Sequence, residues 1–125
     1  MYEVAVTREF DAIHYLVGGD WGEENQPHSH YYKVEALLTG ERLDPFGYLV
    51  DITLMDQAMD ELVGYFKGKT LNVLPEFGDL NPSIEHFSRI WCRALLKSLE
   101  TDHLMSIKVR IWENEIAWAS YTERL

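Results

Sequence analysis

His28-Ser29-His30-Tyr31-Tyr32-Lys33-Val34-Glu35-Ala36-Leu37-Leu38-Thr39 alternates: His28, His30, Tyr32, Val34, Ala36 and Leu38 share one parity, with Ser29, Lys33 and Glu35 on the other. Successive side chains of a strand point to opposite sides of the backbone, so a period of two predicts a strand with one buried face. Both histidines therefore leave that strand on its apolar side. Upstream, Tyr2 to His14 alternates as well. Val4, Val6, Phe10, Ala12 and His14 share one parity, and Glu3, Thr7, Glu9 and Asp11 the other. Strands adjacent in sequence usually pair. Pairing here brings His14, His28 and His30 onto one face, and three neutral imidazoles with an open fourth position are a catalytic zinc arrangement. From the residues alone, separate hydrogen-bonded core or surface histidines are the competing reading. His86, in the first turn of a helix, and His103, in a polar connection, do not share the pattern and are expected in solvent.

Between the two strands, Gly18 to Pro27 is a polar, glycine-containing loop. After the second strand, Gly40 to Gly47 is a connection with Asp44-Pro45 as its turn signal. Thr53 is placed to cap a helix in which Met55, Met59, Leu62 and Phe66 recur at helical spacing. Lys67 to Leu80 reads as irregular. Asn81-Pro82-Ser83 opens a second helix, with Ile84, Phe87, Trp91, Ala94 and Leu95 as its apolar stripe. Strand periodicity returns at Met105, Ile107, Val109 and Ile111. Glu113-Asn114-Glu115 is a tight connection into a last strand, about Ile116 to Thr122. The order ββααββ predicts an α+β domain, a four-stranded antiparallel sheet with both helices on one face.

The 125 residues, 46% hydrophobic, fit a single domain spanning 1–125. No apolar run reaches the ~20 residues that span a bilayer, and Met1 leads straight into a strand with no signal-peptide pattern. The expectation is a cytoplasmic protein without a membrane partner. The formal net charge of −10 leaves no basic stripe for nucleic acid. The single cysteine, Cys92, forms no intramolecular disulfide and sits in an apolar helical stretch, as a packing residue rather than a nucleophile.

Glu113 falls on the parity of Ile107, Val109 and Ile111. A carboxylate there is partly desolvated and needs a partner such as two adjacent N–H groups; alternatively the strand ends at Trp112 and Glu113 is in solvent.

Phe10-Asp11-Ala12-Ile13-His14 resembles the Phe-x-Ala-x-His segment of the 6-pyruvoyl-tetrahydropterin synthase and 6-carboxy-tetrahydropterin synthase family, and His28-Ser29-His30-Tyr31-Tyr32-Lys33-Val34 its His-Gly-His-x-Tyr-x-Val. Gly47-Tyr48-Leu49-Val50-Asp51 is similar to Gly-x-Val-x-Asp with the valine one place late. Leu71-Asn72 and Pro82-Ser83-Ile84-Glu85 resemble Leu-Asn and Pro-Thr-x-Glu-Asn, and Glu113 stands where the family has a late strand-end glutamate. The resemblance implies the tunnelling fold, in which subunits share a barrel as a trimer or hexamer, with pterin sites between subunits. It implies zinc on His14, His28 and His30. It also implies that Glu113 anchors a pterin ring, helped by the turn from Ser83 to Glu85.

Departures from the family pattern fall on the catalytic residues. Related enzymes carry a cysteine in the loop before the histidine pair and an Asp-His pair before Leu-Asn. Here the loop has no cysteine, and Lys67-Gly68-Lys69-Thr70 replaces the pair. Ser29 stands in place of glycine, on the parity facing away from the metal. Glu24, four residues before His28, stands where the carboxy-tetrahydropterin branch has its cysteine; the glutamate-bearing branch keeps its acid three residues before, here Asn25. Glu24 is thus the candidate base, and a solvated Glu23-Glu24 pair is the plainer reading. The usual triphosphate substrate calls for cations, but the chain has 11 basic residues against 21 acidic; Lys33, Lys67 and Lys69 are the candidate contacts. The leading expectation is a zinc-dependent lyase acting on the side chain of a dihydroneopterin derivative. The alternatives are a pterin- or purine-like-ligand-binding protein without turnover, and a structural zinc protein.

Overall fold

The computed structural model describes residues 1–125. Two 13-residue strands, β1 (Tyr2–His14) and β2 (His28–Gly40), pair antiparallel along their full length, with His14 opposite His28 and Ala12 opposite His30. β3 (Ser106–Trp112) pairs with β2, and β4 (Trp118–Arg124) with β3, giving one sheet of order β1-β2-β3-β4. Helices α1 (Ile52–Phe66) and α2 (Ile84–Leu96) cover one face, α1 over β1 and α2 over β3 and β4. The predicted α+β sandwich of order ββααββ is the observed one.

The strand parities locate the core. Phe10, Ala12, Tyr32, Val34, Ala36 and Leu38 are buried from β1 and β2, and Ile107, Val109 and Ile111 from β3. Between sheet and helices, Phe10 stacks on Trp91 at 5.5 Å, and Phe87 meets Tyr32 edge-on at 5.4 Å and Phe66 at 5.1 Å. These rings form the floor beneath the histidines. Arg8 shares the helix-facing parity of β1. Its guanidinium escapes burial by reaching Asp56 and Asp60 of α1 at 2.8 and 2.7 Å, which ties that edge strand to its helix.

The α1 cap is Asp51, not Thr53: its carboxylate accepts from the Thr53 N–H while its own backbone is extended, as a capping residue requires. Ser83 caps α2 as expected, accepting from the His86 N–H. β4 begins two residues later than predicted, because the Asn114 side-chain oxygen accepts from the N–H groups of Ile116 and Ala117 and draws them into the turn. The stretch read as irregular holds a short 3-10 turn, Leu71–Val73, around the buried Leu71. Cys92 is fully buried, and burial pushes its thiol pKa up to about 12, so it is no nucleophile at neutral pH. No helix is long and apolar enough to cross a membrane.

Denaturant unfolding checks this division of labour. Phe87→Ala is expected to cost ~3–5 kcal/mol through the cavity it leaves among the rings. Asp51→Ala is expected to cost about 1 kcal/mol, the loss of one cap.

Candidate metal centre and its cavity

The β1–β2 register sets three imidazoles together where the two strands end. Ring centroids lie 4.6 Å apart for His14–His28, 4.5 Å for His14–His30 and 4.8 Å for His28–His30. One nitrogen from each ring falls within 4.8 Å of the others.

Neighbouring groups fix what each ring offers. His28 Nδ1 is 2.8 Å from the Gln26 carbonyl, which only accepts, so this nitrogen carries the proton and Nε2 carries the lone pair. That Nε2 is buried and has no hydrogen-bond partner in the protein. A buried polar atom left unpaired is uncommon and costly, and a metal ion would satisfy it. His14 Nδ1 is 2.9 Å from the hydroxyl of the fully buried Tyr32, which leaves His14 Nε2 free for a ligand. Outer partners of this kind orient metal-binding imidazoles. His14 itself is buried, and its pKa is held down to about 4, first by burial and then by His30 and His28; the Pro82 carbonyl opposes this in part. The ring thus stays neutral, as a metal ligand must be.

A cavity of about 500 Å³ opens beside the cluster, lined by His14, His30 and Glu24, by Pro82 to Glu85 at the start of α2, by Glu113 and Asn114 of the β3–β4 turn, and by Trp118 at the start of β4. The residues singled out in the sequence meet here; His28 stands one ring behind. Glu113 resolves into a combination of its two readings. The strand does end at Trp112, yet continuing the β2–β3 register past Lys33–Trp112 sets Glu113 beside Tyr32, half-buried on the helix side. Burial and the Glu113 charge both raise the Tyr32 pKa, so its hydroxyl stays protonated. Ser83 caps α2 and Glu85 belongs to its first turn, whose N–H groups face this end of the molecule.

The candidate phosphate contacts lie elsewhere. Lys33 extends over Trp112 at 5.0 Å on the sheet face away from the helices, and Lys69 covers the Tyr65 ring at 4.2 Å. Lys67 is exposed at the end of α1. The charged lining of the cavity, histidines aside, is Glu24, Glu85 and Glu113. His86 and His103 are not solvated as expected: each is half-buried, with His86 Nδ1 2.8 Å from the Asn81 carbonyl and His103 Nε2 2.6 Å from that of Leu49. Sequence reasoning also missed the hydrogen-bonding roles of Asn25, Asn72 and Asn81, which carry no periodic signal.

With this geometry in view, the family model for 6-pyruvoyl tetrahydropterin synthase matches residues 3–124. The chain belongs to that family. No curated protein matches it in sequence. Among solved structures, a Plasmodium vivax 6-pyruvoyl tetrahydropterin synthase superposes with a TM-score of 0.85 at 13% identity, over 99% of this chain and 98% of that one. A Caenorhabditis elegans 6-pyruvoyl tetrahydropterin synthase gives 0.81 at 21% identity, over 98% and 97%. A Plasmodium vivax variant with glutamate replaced by alanine, described as a catalytic residue mutant, gives 0.82 at 13% identity, over 99% and 98%. At these identities the likeness establishes the architecture, the tunnelling fold.

A pH titration tests the buried imidazole. The folded chain keeps His14 neutral down to about pH 4, whereas the unfolded chain protonates it near the ordinary value of 6.5. The unfolded state then binds more protons across that window, so metal-free protein is expected to lose stability as pH falls from 6.5 towards 4. Urea midpoints at pH 7 and pH 5 should differ less in His14→Gln than in the parent chain.

Proposed function

We propose that the whole chain acts as one zinc-dependent, pterin-converting unit whose chemistry is an elimination or cleavage on the polyol side chain of a dihydroneopterin derivative. The observation that carries this reading is the single cavity in which two of the three clustered histidines, Glu24, Ser83, Glu85 and Glu113 converge. His14, His28 and His30 would hold the zinc. Bound there, it supplies Lewis-acid polarisation of side-chain oxygens and lowers their pKa. Glu113, half-buried at the end of β3 and close enough for its charge to act on Tyr32, is suited to accept two N–H groups from the edge of a pterin ring. The turn from Ser83 to Glu85 borders the same ring position.

Glu24 is the candidate base. It lines the cavity beside His14 and His30, whereas Asn25, the neighbouring position to consider, has its amide occupied by Leu16, Gly19 and Trp21. The solved Plasmodium vivax relative, whose glutamate variant is described as a catalytic residue mutant, supports an acid in this role. Glu24 would take a carbon-bound or hydroxyl proton from the side chain and return it as the leaving group departs. The acidic lining favours a substrate without phosphates over a triphosphate, which would bring like charges together. Three imidazoles with an open position suit zinc, which takes this arrangement in catalytic sites.

The outer edge of β4 is unpaired, and the sheet face opposite the helices carries exposed Tyr31 and Trp118. Both features support assembly of copies edge to edge, as a trimer or hexamer with sites shared between subunits. A binding protein without turnover is the second reading, favoured by the replacement of the Asp-His pair. Gly68, at a φ of +70°, stands in that segment with no side chain to offer.

Turnover of zinc-loaded protein on 7,8-dihydroneopterin and on its triphosphate separates these readings. We expect activity on the unphosphorylated compound and a fall of roughly a hundredfold or more in kcat for Glu24→Gln. Equal activity in Glu24→Gln would remove it as base, and no turnover in either protein would favour binding alone.

A further inference from the structure

We propose that the side-chain amides of Asn72, Asn81 and Asn25 form a clamp that sets the position of Glu24 relative to the three histidines. They are positioning residues, and what the position is for rests on the reading of Glu24 as base.

Past His14 the chain leaves the sheet, yet it stays extended and hydrogen-bonded on both edges. Tyr15 donates its N–H to Asn72 Oδ1 at 3.0 Å and accepts from Asn72 Nδ2 at 2.8 Å. Two residues on, Val17 donates to Asn81 Oδ1 at 2.7 Å and accepts from Asn81 Nδ2 at 2.9 Å. Each amide thus copies the paired bonds that a neighbouring strand would make, at the spacing of two residues by which one strand edge repeats. Leu16, between them, presents its backbone to the opposite edge. Its N–H donates to the Glu24 carbonyl at 2.9 Å, and its carbonyl accepts from Asn25 Nδ2 at 3.0 Å. The Asn25 amide also accepts from the Trp21 N–H at 2.7 Å and donates to the Gly19 carbonyl at 3.0 Å, which closes the loop on itself.

The anchors are held from behind. Asn72 follows the buried Leu71 in a 3-10 turn next to the Ile13–Thr70 bridge, and the Asn81 carbonyl is bonded by His86 at the start of α2. Glu24 is therefore connected to the sheet and to α2 by two steps of hydrogen bonds, although it lies in an exposed loop. A catalytic group gains from such preorganisation, because a misplacement of about 1 Å can cost roughly a hundredfold in rate. Asparagine alone combines a donor and an acceptor at this reach. Aspartate keeps the shape but sets an acceptor against the Tyr15 or Val17 carbonyl.

The test uses Asn72→Asp and Asn81→Asp, with Asn72→Ala as a second change of different shape. Hydrogen exchange of the Leu16 N–H, which is bonded to the Glu24 carbonyl, should accelerate about tenfold or more in each, while amides of β2 and β3 keep their protection. Zinc content should remain that of the parent. On 7,8-dihydroneopterin, kcat should fall roughly ten- to a hundredfold with KM little changed. Unchanged Leu16 exchange would overturn the clamp, and faster exchange with unchanged kcat would overturn its positioning role. If Glu24→Gln proves fully active, the assignment of the base fails on its own evidence, and Leu16 exchange still decides whether the clamp exists.

Discussion

The pairing of β1 with β2 in one register is the constraint on which the site depends. It sets His14 opposite His28 and Ala12 opposite His30, so three imidazoles share the helix side of the sheet at the strand ends. A slip of one residue would send the β2 histidines to the opposite face from His14. The register is held by burial: Tyr32, Val34, Ala36 and Leu38 follow the histidines on the same parity, and all are fully buried. Packing of a hydrophobic strand face and placement of the histidine triad are thus one requirement. The aromatic floor of Phe10, Tyr32 and Phe87 joins them directly, since Tyr32 is at once a core residue and the hydrogen-bond partner of His14.

Electrostatics divides the molecule. On the helix side, His14, His30 and three glutamates border the cavity. On the other face, Lys33 and Arg110 lie over the indole rings of Trp112 and Trp118. Three of the chain's 21 acidic residues meet where the metal would sit, with a cation as the natural counter-charge. A phosphate-bearing ligand approaching from the same side would meet repulsion from residues of this chain.

The parts legible in sequence were those with a periodic or local signal. Strand parity placed all three histidines and the core, and the resemblance in motif order identified the fold. The parity of β2 also separates Lys33 from the histidines, a consequence that its charge alone concealed. What was illegible depended on tertiary geometry. Asp51 and Thr53 both have capping chemistry, and only the backbone path chooses between them. The start of β4 is set by an Asn114 turn that competes with strand pairing. Asn72 and Asn81 lie more than fifty residues from the backbone groups they bind, so no window of sequence contains the interaction. Glu113 was ambiguous because strand end and burial are independent, and the structure has both.

The most direct test of the account is zinc titration into metal-free protein at neutral pH, followed by calorimetry. About one zinc is expected to bind per chain, with loss of that binding in a His28→Ala, His30→Ala double variant that retains its sheet. No zinc uptake by the folded parent chain, or equal uptake by the double variant, would contradict it.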